Sequence, residues 1–160
     1  MLNALVTLHS KKLIHRDVKS ANVFYECLDG KMNYVLGDFG ESKILKNKVA
    51  NTLTGTSRWI APEVFDRRSS KGYSFEADVW SFGMLLYELM TLKLPFFETG
   101  LGVESLIIDG KIPTLTEAQS CEYAFLFTLF NNCVTYDPAK RWSALEALSH
   151  VQTLKDIVGV

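Results

Sequence analysis

Residues 13 to 43 read LIHRDVKSANVFYECLDGKMNYVLGDFGESK, and four side chains in this stretch, Asp17, Lys19, Asn22 and Asp38, could share one reaction. Asn22 and Asp38 offer hard oxygen ligands. That suits Mg²⁺, which takes few protein ligands and keeps positions for phosphates and water. Asp17, five residues before Asn22, can accept a proton from a substrate hydroxyl, and Lys19 can supply a cation to a transferring phosphoryl group. A lone Asp or Lys in a loop is ordinarily a solvated charge; the joint spacing of these four shifts the balance toward a site.

Something must bring residue 22 to residue 38. The runs NVFYE and NYVLG are β-branched and aromatic, and they flank Asp29-Gly30, a strong hairpin-turn signal. A turn at 29–30 places Asn22, just before the first strand, opposite Gly37 and Asp38, just after the second. The opening MLNALVTLHSKK reads as helical through Leu2, Leu5, Val6 and Leu8, with no capping residue ahead of it, as if the chain started mid-element. Residues 41 to 60 are polar and carry no periodicity, which predicts an exposed loop. Ser74 is placed to cap a helix from about Phe75 to Met90 that is apolar almost all round, the expected spine of the domain. ESLIIDG and CEYAFLFTLFNNCV are further helix candidates, and SALEALSH opens on a capping box, Ser143 with Glu146. No internal repeat, low-complexity tract or domain boundary is visible.

The 160 residues, 48% hydrophobic and 12% aromatic, suffice for one domain with a sizeable core. A net charge of -1, from 17 basic and 18 acidic residues, provides no basic stripe for nucleic acid. Cys27, Cys121 and Cys133 lack paired spacing and read as reduced core thiols. No secretory signal opens the chain, and the compartment expected is cytoplasmic. The run VWSFGMLLYELM is interrupted by Glu88 and falls short of the about 20 apolar residues a bilayer needs, so it reads as a core helix.

HRDVKSAN, GDFG and APE, in this order, resemble the catalytic loop, the Mg²⁺-binding segment and the close of the activation segment of eukaryotic-type protein kinases. DVWSFGMLLYEL and DPAKRW continue the likeness, which covers nearly the whole chain. The fold it implies is α+β, mainly α: a kinase large lobe over 1–160, with catalytic loop 15–22, β-hairpin 22–37, activation segment 38–63 and helical subdomain 64–155. It also implies that Asp17 is the catalytic base, that Lys19 steadies the γ-phosphate of ATP, and that Asn22 and Asp38 hold Mg²⁺. Arg16 resembles the arginine that meets a phosphate on the activation segment. Thr52 and Thr54 are the leading sites for that phosphate, with Ser57 a third candidate, added by an upstream kinase or by autophosphorylation. Thr56 is expected to hydrogen-bond toward Asp17 and Lys19, Asp78 to brace the catalytic-loop backbone from a buried position, and Glu63 to pair with Arg141.

Two departures accompany the resemblance. Nothing resembles the Gly-rich loop, the strand lysine or its glutamate partner, which would precede residue 1, so the N-terminal lobe is expected to be absent. Trp142 stands where a proline commonly follows the arginine. Lys19 within HRDVKS points to serine or threonine of a protein substrate as acceptor. With Trp59 and Thr56 in GTSRWIAPE, the mixture resembles the tyrosine-kinase-like group of serine/threonine kinases. The alternative is a pseudokinase-like scaffold, inactive for want of the nucleotide-binding lobe.

Overall fold

The computed structural model describes residues 1–45, 57–65, 72–99 and 102–158, with side chains through 156. Thr52, Thr54 and Thr56 lie outside the described residues. Helices dominate: α1 (Leu2–Ser10), the short α2 (Pro62–Phe65), α3 (Glu76–Thr91), α4 (Val103–Ile108), α5 (Glu117–Glu122), α6 (Phe127–Cys133) and α7 (Ala144–Val158). The strands form two small antiparallel pairs, β1 (Leu13–Ile14) with β4 (Lys43–Ile44), and β2 (Val23–Leu28) with β3 (Lys31–Leu36).

Helix α3 is buried along nearly its whole length, from Ala77 through Tyr87 and again at Met90 and Thr91. A helix buried on nearly every side has to lie at the centre of a core, because no continuous polar stripe is available to set it at the surface. Its closest neighbour is α6. A Cβ at Gly83 would come within 2.5 Å of Val134 Cγ1 and 3.0 Å of Cys133 Cβ, so glycine is what lets the two backbones approach. In exchange the helix interior gives up about 1 kcal/mol of propensity relative to alanine. α1 packs against α7 on another side of the core, and Trp80, fully buried, fills the interior near Arg141.

The start of α3 differs from expectation. Phe75 rather than Ser74 is the cap residue, and no side chain caps the helix. Phe75 already has helical backbone angles and Ser74 accepts the Ala77 amide through its carbonyl (3.1 Å), so the entry is a tight turn and the serine hydroxyl is not used. The helix stops at Leu92, which adopts the left-handed conformation (φ 54°) usually left to glycine.

The β2–β3 hairpin has the expected turn, with Asp29 and Gly30 both at positive φ (50° and 74°) and Val23 paired with Leu36 at its base. Beyond that base both faces are exposed: Phe24, Tyr25, Leu28, Met32, Tyr34 and Val35 all stand in solvent. Cys27 is exposed with them. Cys121 is exposed on α5, a helix without a buried residue. Of the three expected core thiols only Cys133 is buried, and burial pushes its pKa up to about 12.

Two further expectations are corrected. The single helix expected from CEYAFLFTLFNNCV is three pieces: the end of α5, a 3₁₀ turn at Ala124–Leu126, and α6. The break falls at Tyr123, whose backbone (φ -106°, ψ 24°) leaves the helix, and α5 starts earlier, at a Thr116–Gln119 capping box. Within 41–60, β4 pairs with β1, and Leu45, Trp59 and Ile60 are buried; apolar residues spaced too widely for a period still anchor this segment. At α7, Ser143 and Glu146 do form the capping box, the Ser143 amide meeting Glu146 Oε2 at 2.7 Å and the Glu146 amide meeting Ser143 Oγ at 3.2 Å.

Candidate active site

The segment between β1 and β2 has little regular structure, so its conformation depends on side chains that hold its backbone. Asp78, in the first turn of α3 and 1% exposed, accepts the amides of His15 (2.9 Å, Oδ2) and Arg16 (2.8 Å, Oδ1), and its Oδ2 also meets His9 Nε2 from α1 at 2.9 Å. A buried carboxylate is costly unless its oxygens are satisfied; these contacts satisfy both. They also hold Arg16 at φ 72°, a region that non-glycine residues rarely occupy.

His15 is fully buried and ties this segment to the end of the hairpin. The Asp17 amide donates to His15 Nδ1 (3.3 Å), so Nε2 carries the proton and donates to the Gly37 carbonyl (3.0 Å). The ring also meets Phe39 edge-on at 5.1 Å. A second tie runs through the backbone, from the Gly37 amide to the Asn22 carbonyl (2.9 Å). A Cβ at Gly37 would fall 2.7 Å from the edge of the exposed Phe24 ring, so glycine lets that ring lie over the backbone here.

The side chains of Asp17, Lys19 and Asn22 converge. Asn22, buried at the end of a 3₁₀ turn (Ser20–Asn22), donates through Nδ2 to the Asp17 carbonyl (2.8 Å) and to Asp17 Oδ2 (2.9 Å); Lys19 Nζ lies 2.7 Å from the same Oδ2. The Asn22 amide nitrogen is thus committed to Asp17, which presents its oxygen as the ligand end. Asp38 is exposed, at φ 57°, with Oδ1 accepting the Gly40 amide (3.2 Å). The Gly37–Asn22 backbone bond brings residue 38 next to residue 22 in the fold, and the oxygens of Asn22 and Asp38 are of the hard type that Mg²⁺ takes. Arg16 Nε donates to the Glu41 carbonyl.

Away from this centre, Glu63 of α2 and Arg141 form a two-pronged ion pair (2.6 and 2.9 Å). Arg141 also donates to the carbonyls of Thr135, Glu76 and Tyr136 and lies 5.1 Å from the centre of the Trp80 ring. Removing one partner of such a buried pair typically costs about 3 to 5 kcal/mol. Ser57 opens a 3₁₀ turn beside Glu104, whose carboxylate is held below its ordinary range by its own amide, then by the Ser57 hydroxyl. Next to it, Arg58 grips the carbonyls of Pro95 (2.8 Å) and Phe96 (2.7 Å).

The sequence reading assigned no role to His9, His15, the Ser20–Glu88 contact or Arg58. His15 stood inside the quoted HRDVKSAN motif, so the signal was present. Ser20, Arg58 and Glu88 also stood inside quoted segments, but their partners, like that of His9, lie far away in the chain, so nothing local marked the contacts.

Residues 1–152 match the profile of the family described as protein kinase domain. Similar proteins include mitogen-activated protein kinase kinase kinase 1 of Arabidopsis thaliana, 36% identical over 152 residues that make up 94% of this chain and 24% of that protein. Mitogen-activated protein kinase kinase 9 of the same plant is 32% identical over 98% of this chain and 52% of its own length. Mitogen-activated protein kinase kinase kinase 4 of Mus musculus is 35% identical over 92% of this chain and 9% of its own. The chain therefore spans about half or less of each of these relatives.

Proposed function

Because this chain belongs to the protein kinase domain family, we propose that it works as the large lobe of a serine/threonine kinase, moving the γ-phosphoryl group of ATP to a hydroxyl of a protein substrate. In this reading 15–22 is the catalytic loop, 22–37 the hairpin, 38–63 the activation segment and 64–155 the helical subdomain. The observation that carries it is the joined set Asp17–Lys19–Asn22, fixed to α3 through Asp78, with Asp38 brought alongside by the hairpin.

Asp17 accepts the proton of the attacking hydroxyl, and Asn22 and Lys19 on its Oδ2 hold the carboxylate in one orientation for that task. Lys19, 2.7 Å from the base, reaches the phosphoryl group being transferred and offsets its charge. The Asn22 oxygen and the Asp38 carboxylate would hold Mg²⁺. When bound, Mg²⁺·ATP supplies the phosphoryl donor and positive charge over its oxygens. Arg16 receives the phosphate of a modified activation segment, and Asp78 and the Glu63–Arg141 pair keep the loop and segment in place. Lys19 supports serine or threonine as acceptor, as does a further similar protein, the probable serine/threonine-protein kinase nek3 of Dictyostelium discoideum, 35% identical over 91% of this chain. The three cysteines, all unpaired, suit a reducing cytoplasm.

The apolar residues left in solvent on the hairpin support a large lobe whose nucleotide-facing surface is completed by other residues. No segment of these 160 residues resembles the Gly-rich loop or the strand lysine that grips the nucleotide phosphates in kinases. The chain by itself is therefore expected to bind ATP weakly and to turn over slowly, since phosphoryl transfer depends on positioning from both sides of the nucleotide. The test is phosphotransfer to a generic Ser/Thr substrate by the chain and by a longer form carrying those two elements, each with and without Asp17→Asn. The expected loss with Asn is about 10²- to 10⁴-fold. Transfer unaffected by Asp17→Asn would overturn the assignment, and no transfer by either form would favour the scaffold.

A further inference from the structure

Helix α3 carries a second carboxylate, Glu88, which lies ten residues after Asp78 and so about 15 Å further along the axis. Its Oε1 accepts the Ser20 hydroxyl at 2.6 Å, a short bond of the charge-assisted kind, between residues 68 apart in the chain. Its Oε2 is buried and has no hydrogen-bond partner among the described residues. Among the described residues the serine is thus the group that satisfies this carboxylate. A half-satisfied buried carboxylate is unfavourable, which makes the contact hard to explain as incidental packing.

Ser20 opens the 3₁₀ turn that ends at Asn22, and the Ser20 carbonyl accepts the Val23 amide that closes it. Upstream, Asp78 grips the segment at residues 15 and 16. Among the described residues, the hydrogen bonds of Asp78 and the Ser20–Glu88 bond join this segment to side chains of α3. We propose that the Ser20–Glu88 bond is the second anchor of this loop, and that Ser20 and Glu88 are positioning residues. One helix then holds the loop on both sides of Asp17, with Asp78 before it and Glu88 after it. Rotation of the Ser20–Asn22 turn would swing Asn22 away from Asp17 Oδ2, so the anchor acts on the base through Asn22. The consequence for catalysis rests on the reading of Asp17 as the base; the anchor itself does not.

The test compares the native chain with Ser20→Ala, Ser20→Thr and Glu88→Gln. Amide hydrogen exchange is read at Asn22 and Val23, with α7 amides as the control for overall stability. Phosphotransfer is followed at varied ATP. Ser20→Ala is expected to speed exchange at Asn22 and Val23 roughly tenfold, the size of one hydrogen bond to a charged group, with α7 unchanged. The turnover rate should fall by a similar factor at unchanged KM for ATP. Threonine keeps the hydroxyl and should restore both, and Glu88→Gln keeps an acceptor and should fall between. Unchanged exchange in the loop, equal acceleration in α7, or failure of threonine to rescue would each overturn the proposal. A loop loosened by Ser20→Ala when neither this chain nor the longer form transfers phosphate would uphold the anchor and refute the phosphotransfer reading.

Discussion

Arg16 combines a costly backbone, at φ 72°, with an amide held by Asp78 and a side chain turned onto the Glu41 carbonyl just past the GDFG turn. Such strain persists where the surroundings over-determine it, and it gathers at functional sites. A guanidinium beside the start of the segment that holds Thr52 and Thr54 is suited to a two-pronged, charge-assisted contact with a phosphate, which adds about -1.5 to -2 charges. In the form of the domain that transfers phosphate, Thr52→Ala/Thr54→Ala and Arg16→Ala are each expected to lower activity, and mass spectrometry of active enzyme should find the segment modified. Full activity in both variants with an unmodified segment would rule out the switch. At this scale the sequence was partly legible. Asp17, Lys19, Asn22 and Asp38 were visible because their spacing is local to one hairpin. His9 and Glu88 were not, since they reach Asp78 and Ser20 across 69 and 68 residues, distances over which no sequence periodicity carries information.

Elements were legible where one local rule decided them. Asp29-Gly30 set the hairpin turn, Ser143 with Glu146 set the start of α7, and the apolar run after Phe75 set α3. They were less legible where tertiary contacts overrode local preference, as at the Phe75 entry to α3 and the break at Tyr123. The α7 cap also has a pH signature. The Ser143 amide, then its hydroxyl, hold the Glu146 carboxyl below the ordinary glutamate range. A carboxylate with a depressed folded pKa contributes stability that is fully present above its unfolded value, about 4.3, and that is lost as pH falls through the folded value. Acidification should therefore speed exchange of the Ala147 amide, which bonds the Ser143 carbonyl at 3.1 Å, beyond the change in intrinsic rate. Glu146→Gln should abolish that extra sensitivity. An identical pH response in the glutamine variant would show that the cap does not titrate as described.

Across the described molecule, α3 is joined at both its ends to the segment that carries Asp17. Its first turn holds the 15–16 backbone and His9, its middle packs on α6 through Gly83, and its last turns reach Ser20. The mainly helical class could be read from apolar patterning, because a helix without a polar face has few places to go. The exposure of both hairpin faces could not, since alternation shows which residues share a face and not whether anything covers it. The most direct test of the central claim, that Asn22 and Asp38 face one metal–nucleotide site beside Asp17, is paramagnetic broadening of amide NMR signals by Mn²⁺ with ATP, a readout that tolerates weak binding. The account predicts ATP-dependent broadening centred on residues 17, 22, 37, 38 and 40, lost in Asn22→Ala/Asp38→Asn while the fold persists. Broadening centred on other carboxylates, or unchanged in that double variant, would contradict it.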